Sequence, residues 1–310
     1  MLLAITMNPA IDKVYSVDDF AVDAVFRPRD MTATAGGKGL NVARVAYLLG
    51  ESVTAAGLLG GNNGQFISKE VQKRGIISEF MEITGETRIC INITDQKNTT
   101  STEILENGPI VSRQELENFL EHYNKLLDGV DVVTASGSLP EGIPVDFYKI
   151  LINIAKSRDK KFILDSSGEY LVEGIKSIPY MIKPNQDEVE QIAGQRLSDI
   201  SDYIGVLWEF KKQGIELPVI SLGRNGCLTV IKKQVYHFKG PLLKVKNTVG
   251  SGDSFIAGCA VALSQGRALI DVIKLGMACG AANTQFFKTG MVSKELVDDY
   301  FEEIECVEVN

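Results

Sequence analysis

A glycine-rich turn, Asn247-Thr248-Val249-Gly250-Ser251-Gly252-Asp253-Ser254, runs into the small and apolar residues Phe255-Ile256-Ala257-Gly258-Cys259-Ala260. Glycines just before a helix let backbone N–H groups converge on an anion, and the helix dipole adds favourable potential there. Gly250, Ser251 and Gly252 would supply the amides of such an anion hole. Asp253, at its rim and kept ionised by the dipole, is placed to act as general base on a substrate hydroxyl beside an incoming phosphoryl group. The same spacing equally describes a plain helix start in which Ser251 or Asp253 is only a cap.

Other segments carry related features. In Ala35-Gly36-Gly37-Lys38-Gly39-Leu40-Asn41-Val42-Ala43-Arg44, a glycine-rich turn enters a helix. A P-loop is excluded, because Gly39 rather than Ser or Thr follows Lys38 and Thr32 stands where the first glycine belongs. A dinucleotide fingerprint fails too, since no G-x-G-x-x-G follows a strand. What remains is close backbone approach at Gly36 and Gly37, with Asn41 on the first turn able to bond a polyol; the alternative is a tight loop-to-helix connection. Lys183-Pro184-Asn185-Gln186-Asp187-Glu188 puts Asn185 and Glu188 on one face of a helix start, either as a capping box or with Glu188 holding water around Mg2+. Ser221-Leu222-Gly223-Arg224-Asn225-Gly226 ends a strand in a turn across which a nucleotide could lie.

A formal net charge of -8 argues against bulk electrostatic binding of nucleic acid, while leaving room for a small anion held by local cations. With only His122 and His237, a Ser-His-Asp triad or a His-ligated zinc site has few candidates. The five cysteines show no C-x-x-C pair, which suits a reducing cytoplasm. The N-terminal residues lack a basic leader and read as a first strand, and no apolar run spans a bilayer.

Apolar runs at residues 2–7, 52–58, 130–135, 161–165, 180–182 and 217–222 alternate with amphipathic stretches of helical length at 39–49, 65–74, 112–127, 144–157, 186–193, 198–213, 254–263 and 268–286. That alternation predicts an α/β fold whose mostly parallel central sheet is covered by helices on both faces. Residues 12–34 and 88–105 break the pattern with period-two segments, predicting a small antiparallel sheet outside the main one. Such a sheet would form a lid over the carboxyl ends of the parallel strands, where open α/β sheets bind ligands. The whole chain, 1–310, is expected to be one domain carrying this lid. Exposed lid edges would favour a homodimer clasped through the lids.

In order and spacing these segments resemble the PfkB carbohydrate kinase family, over essentially the whole chain. The run from Gly36 to Asn41 continues through Ala43, Gly50 and Gly60 as the family's first signature does, and Thr248 to Asp253 resembles the second. The resemblance implies a ribokinase-like three-layer fold and an ATP-dependent kinase. Lys183, Asn185, Glu188, Ser221, Gly223, Gly226, Thr248 and the loop from Gly250 to Asp253 would contact ATP or its Mg2+, with Asn283 near the adenine. Asn8-Pro9-Ala10-Ile11-Asp12, Glu86-Thr87-Arg88 and Gly137-Ser138-Leu139-Pro140 are similar to the branch holding 1-phosphofructokinase and tagatose-6-phosphate kinase. On that likeness the substrate is a ketohexose monophosphate. Asp12 and Asn41 would hold its hydroxyls, Cys90 and Ser138 would line the pocket, and Arg27, Lys38 and Arg88 would grip its phosphate. Residues 102–109 and Arg88-Ile89-Cys90 look more like the tagatose enzymes, while Phe26 departs from the Asn usual in the branch. A kinase of a free sugar or nucleoside on the same fold, and a non-catalytic sugar-phosphate sensor, are the alternatives.

Overall fold

The computed structural model describes residues 1–309. Its first half runs β1 (Leu2–Thr6), β2 (Ala10–Val17), β3 (Asp30–Gly36), α1 (Lys38–Leu48), β4 (Val53–Gly60), α2 (Gly61–Lys73), β5 (Ile77–Ile83), β6 (Arg88–Asp95) and β7 (Thr100–Leu105). There follow α3 (Arg113–Leu126), β8 (Val132–Ser136), α4 (Phe147–Ser157), β9 (Lys161–Asp165), α5 (Gly168–Ile175), β10 (Met181–Ile182), α6 (Gln186–Ala193) and α7 (Ile200–Gln213). The chain closes with β11 (Leu217–Ser221), β12 (Cys227–Ile231), β13 (Gln234–Lys239), α8 (Ser251–Ser264), α9 (Leu269–Asn283), α10 (Lys294–Glu303) and β14 (Glu305–Val309).

All the apolar runs read from the sequence are strands of one ten-stranded sheet, ordered β14-β13-β12-β11-β10-β9-β8-β1-β4-β5. From β11 to β5 every neighbouring pair is parallel, and β12, β13 and β14 extend the sheet antiparallel. Alternate residues of each parallel strand feed two different cores. Leu2, Ala4, Val132, Ile163 and Val219 pack against α1, α8 and α9, whereas Leu3, Ile5, Val133, Leu164 and Ile220 pack against α3, α4 and α7. A strand buried on both faces needs an unbroken apolar run, which is why these were visible in the sequence. Two of the strands not foreseen are poorer in that signal, since β5 carries Glu79 and Glu82 at the sheet's edge and β14 is largely exposed, whereas β12, outside the runs read above, is buried throughout.

The second sheet, ordered β3-β2-β6-β7, occupies the two regions where the alternation failed. Its outer pairs are antiparallel, but β2 and β6 run parallel with Asp12 opposite Cys90. The parallel pair follows from connectivity, because β2 and β6 each continue from the carboxyl end of a parallel strand, β1 and β5, and so leave in the same direction. At the lid's far end the buried Asp95 carboxylate accepts from the Phe20 amide (2.7 Å) and the Asn98 side chain (2.8 Å), pinning the loop between β2 and β3.

Helix α8 sets the position of the glycine turn before it. From Asp253 to Leu263 every residue is buried, as expected of a helix that is apolar on all sides. It lies so close to α9 that a Cβ on Gly258 would sit 2.5 Å from the Leu275 carbonyl oxygen and 2.8 Å from Cys279 Sγ. No helix among the described residues is long and apolar enough to cross a membrane, and all five cysteines are free thiols. Gly258→Ala should therefore destabilise the protein by about 1–3 kcal/mol through overpacking against backbone, read as a lowered urea midpoint with unchanged m-value. A midpoint equal to that of the native protein would show that α8 and α9 can separate without loss.

Candidate active site

The N-cap of α8 is Gly250, in the left-handed region at φ 81°, with no side-chain cap. This rules out the reading of Ser251 or Asp253 as mere caps. The Ser251 amide turns back to the Thr248 carbonyl (3.2 Å), and among the described residues no acceptor meets the amides of Gly252 and Asp253. Two free donors at the positive end of a helix are what the anion hole expected from the turn's composition would require.

Asp253 is 6% exposed beside those amides. One of its oxygens, Oδ2, accepts from Asn41 Nδ2 at 2.8 Å. Burial pushes its carboxyl up to about 6, the Asp165 charge adds to the rise, and the Asn41 hydrogen bond, Lys38 and Lys183 oppose it. The carboxyl stays mostly ionised at neutral pH, as expected, but desolvation brings it to just below neutrality, a range suited to a general base.

Lys183, in the bend after β10, reaches the same corner. Its Nζ lies 3.3 Å from Asp165 Oδ1 at the end of β9, and both side chains are buried. A Cβ on Gly252 would stand 3.5 Å from that ammonium, so the cation faces the turn at the free amides. Burial disfavours its charge, yet Asp165, Glu188 and Asp253 together hold the ammonium above its ordinary range. Asp165 was missed from sequence, although an acid closing the apolar run Phe162-Ile163-Leu164 at a strand's carboxyl end was a usable sign.

Around this corner several expected ligand contacts are otherwise engaged. Asn185 and Glu188 form a reciprocal capping box on α6, the Asn185 amide donating to Glu188 Oε2 at 2.8 Å and the Glu188 amide to Asn185 Oδ1 at 2.9 Å. That leaves Glu188 Oε1 for any ion. Ser221 is tied to the Pro184 carbonyl through its amide (3.0 Å), which locks the end of β11 to the Lys183 bend. Gly223 opens a one-turn 3-10 helix that Gly226 closes, both at positive φ. Asn283, expected near the nucleotide's base, is fully buried and acts instead as a clamp: its Nδ2 donates to the Val249 carbonyl (2.9 Å) and its Oδ1 accepts from the Gly290 amide (2.9 Å).

On the opposite side stand the residues assigned to a sugar. Asp12 on β2 packs against Gly36, where any Cβ would overlap its carboxylate. Burial raises its carboxyl to about 6, against the charges of Arg44 and Arg88. Gly37 is the N-cap of α1, and Lys38 is exposed beside Gly137. Asn41, foreseen as a hydroxyl ligand, is held by Asp253 and by Arg44 Nη1 (3.0 Å). Arg88, foreseen on the phosphate, spends N–H groups on the carbonyls of Asn8 (2.9 and 3.2 Å) and Glu106 (2.8 Å), bracing the lid. Cys90 is half-buried next to Asp12, and burial pushes its thiol up. Ser138 Oγ accepts from Asn8 Nδ2 at 3.3 Å. Arg27 lies exposed in the loop between β2 and β3, and the structure does not bring it to Asp253. His122 meets the Glu79 carbonyl and His237 the Asn225 carbonyl, both outside this corner.

A free amide pair, a buried acid and a buried ammonium at the mouth of a parallel sheet suit transfer of an anionic group to a hydroxyl. The pfkB family carbohydrate kinase pattern matches residues 1–294. The chain belongs to that family, and is an ATP-dependent sugar kinase. The kinase is similar in structure to a protein from Staphylococcus aureus assigned as a phosphofructokinase, with 29% identity, TM-score 0.86, and coverage of 100% of this chain and 99% of that one. A possible 1-phosphofructokinase from Thermotoga maritima gives 25% identity and TM-score 0.89, each chain covered in full. Phosphofructokinase-2 from Escherichia coli, solved with potassium, shares the fold at TM-score 0.91 and 24% identity, over 97% of this chain and 98% of that one.

Because Asp253 is more easily protonated in the folded kinase than in the unfolded chain, its ionised form costs stability, a penalty that grows as pH rises through about 6 and vanishes near 4. Asp253→Asn should therefore be more stable than the native kinase at pH 7.5, on the order of 2 kcal/mol, with the gap closing at pH 4. Equal urea midpoints at pH 7.5 would contradict the buried, ionised carboxylate.

Proposed function

We propose that the kinase transfers the γ-phosphoryl group of ATP to a ketohexose monophosphate, giving a 1,6-bisphosphate. The observation that carries this is Asp253, a carboxylate poised near neutrality beside two unpaired helix amides and a buried ammonium. Asp253 takes the proton of the attacking hydroxyl, while the free amides of Gly252 and Asp253, held in place by the turn from Gly250 to Gly252, and the Lys183 ammonium stabilise charge on the transferring group. The nucleotide's tail lies along Thr248 to Gly252, with Asn185, Ser221, Gly223 and Gly226 on its flank. Asn283 serves it indirectly, by holding Val249.

Among the described residues no group of three or more His, Cys, Asp or Glu could hold a metal ion. That fits Mg2+, which keeps its waters and leans on substrate phosphates with one or two carboxylates. Glu188, with Oε1 outside the capping box, is the carboxylate assigned to it through water, and the ion would supply charge neutralisation on the phosphates.

The sugar lies between Asp253 and the lid, its hydroxyls toward Asp12, Asn41 and Ser138, with Gly36, Gly37 and Cys90 forming the wall. Lys38 grips its phosphate, Arg27 swings in from its exposed loop, and Arg88 contributes charge while bracing the lid. Relatives at 25–29% identity assigned as phosphofructokinases support a phosphorylated ketose. Tagatose 6-phosphate leads on the likeness of residues 88–90 and 102–109, with fructose 1-phosphate next. A furanose has a quasi-two-fold relation between its hydroxymethyl ends, so one cationic pocket holds either phosphate and offers the other end to Asp253. The outer lid strands β3 and β7 leave unpaired edges, and Met31, Ile104 and Leu105 on them are more than half exposed, which supports a homodimer clasped through the lids.

Coupled ADP release over a panel of ketose phosphates and free ketoses tests the reading. A ketose phosphate should exceed its free sugar at least ~100-fold in kcat/KM, the weight of several charge-assisted contacts to its phosphate. Asp253→Asn should lose about 100- to 10,000-fold in kcat while still binding both substrates. Near-native turnover by that variant, or free sugars used as well as phosphorylated ones, would refute it.

A further inference from the structure

Arg44 lies on α1 one turn beyond Asn41 and is 7% exposed, with no role in the chemistry described so far. We propose that Arg44 is the positioning residue for Asp253: its guanidinium fixes the Asn41 amide in the single orientation that donates to the catalytic carboxylate. The inference rests on Asp253 being the base.

The argument starts from donors and acceptors. A side-chain amide has an oxygen that only accepts and a nitrogen that only donates, and a flip exchanges them. Asn41 sits between a partner that can only donate and one that, ionised, can only accept. Arg44 Nη1 donates to Asn41 Oδ1 at 3.0 Å, so Asn41 Nδ2 is turned to Asp253 Oδ2 at 2.8 Å. Without the guanidinium the flipped amide would set oxygen against carboxylate, or leave the carboxylate free to rotate.

Arg44 is itself held at both ends of the site. Nη1 also donates to the Thr289 carbonyl (2.9 Å), and Nη2 to the Ala35 carbonyl (2.5 Å) at the end of lid strand β3. The chain seals the pair, for a Cβ on Gly290 would lie 2.9 Å from Arg44 Nη1 and 3.1 Å from Asn41 Oδ1. The Gly290 amide in turn donates to Asn283, which also binds the Val249 carbonyl ahead of the anion-hole turn. The direction of the Asp253 carboxylate is thereby made contingent on both the lid strand and the nucleotide-side loop. The charged groups facing Asp253 are Asp165 from β9, Lys183 after β10, and Lys38 and Arg44 from α1.

Carboxyl-carbon NMR titration of the free full-length kinase tests this without any substrate, with the Asp253 signal assigned by its loss in Asp253→Asn. Arg44→Met should raise the Asp253 midpoint by about one pH unit, combining a lost hydrogen bond and a lost charge. In an Asn41→Ala background the same change should raise it by less than half as much, since only the charge remains to be lost. Arg44→Lys, which keeps the charge and the fold more safely, should still raise the native midpoint, because one ammonium cannot span Asn41, Thr289 and Ala35. With a turned-over ketose phosphate, Arg44→Met should lower kcat roughly tenfold and leave the KM for ATP within about twofold. Shifts that add fully in the double variant, or an unmoved midpoint in both Arg44 variants, would overturn the proposal. Full turnover by Asp253→Asn would instead remove the base assignment, with the titration cycle still standing.

Discussion

The buried meeting of Asp165, Lys183 and Asp253 at the carboxyl ends of the parallel strands governs the rest of the structure. Two buried carboxylates lie in the field of one buried ammonium, and the Lys183–Asp165 pair at 3.3 Å leaves Asp253 without an ion-pair partner of its own among the described residues. Burial, with the Asp165 charge adding to it, consequently raises the Asp253 carboxyl to about 6, as burial does for Asp12. A charge held this way needs rigid neighbours, because a water molecule admitted by slack packing would dissolve the effect. The close seam of α8 and α9, built from glycine, alanine and cysteine, supplies that rigidity to the end of α8 that bears Asp253.

The two sheets divide the labour. The large sheet places Asp165, Lys183 and Ser221 at the ends of neighbouring strands, while the lid sheet brings Asp12 and Cys90 over them from the side. Helix α1 joins the two, since its first turn carries Gly37, Lys38 and Asn41 and its second carries Arg44. Through Asn41 and Arg44 this helix links the end of lid strand β3 to Asp253. Arg88 shows the same economy, bracing Asn8 and Glu106 while lending its charge to Asp12.

How much of this could be read in the sequence depended on the kind of signal. Strands buried on both faces, such as β1 and β8, and the glycine turn before α8 announce themselves through local composition. Both lid regions were recognisable from failed alternation, but the parallel pairing of β2 with β6 was not, because it is decided by where the neighbouring strands end. The candidate acid, the turn glycines and Lys183 were named correctly as neighbours. The backbone partners of Asn283 and Arg88 were not legible, because a polar side chain that satisfies distant backbone looks, in sequence, the same as one awaiting a ligand. Asp165 and Arg44 escaped notice because their partners, Lys183 and Asn41, come from other segments.

The central claim is that the unpaired amides of Gly252 and Asp253, with Lys183, receive the group being transferred. A crystal structure with a non-hydrolysable ATP analogue and Mg2+ measures this directly. The account predicts the terminal phosphate within hydrogen-bonding distance of those amides, on the Asp253 side of the Lys183 ammonium. A triphosphate bound elsewhere, with both amides still unpaired, would contradict it.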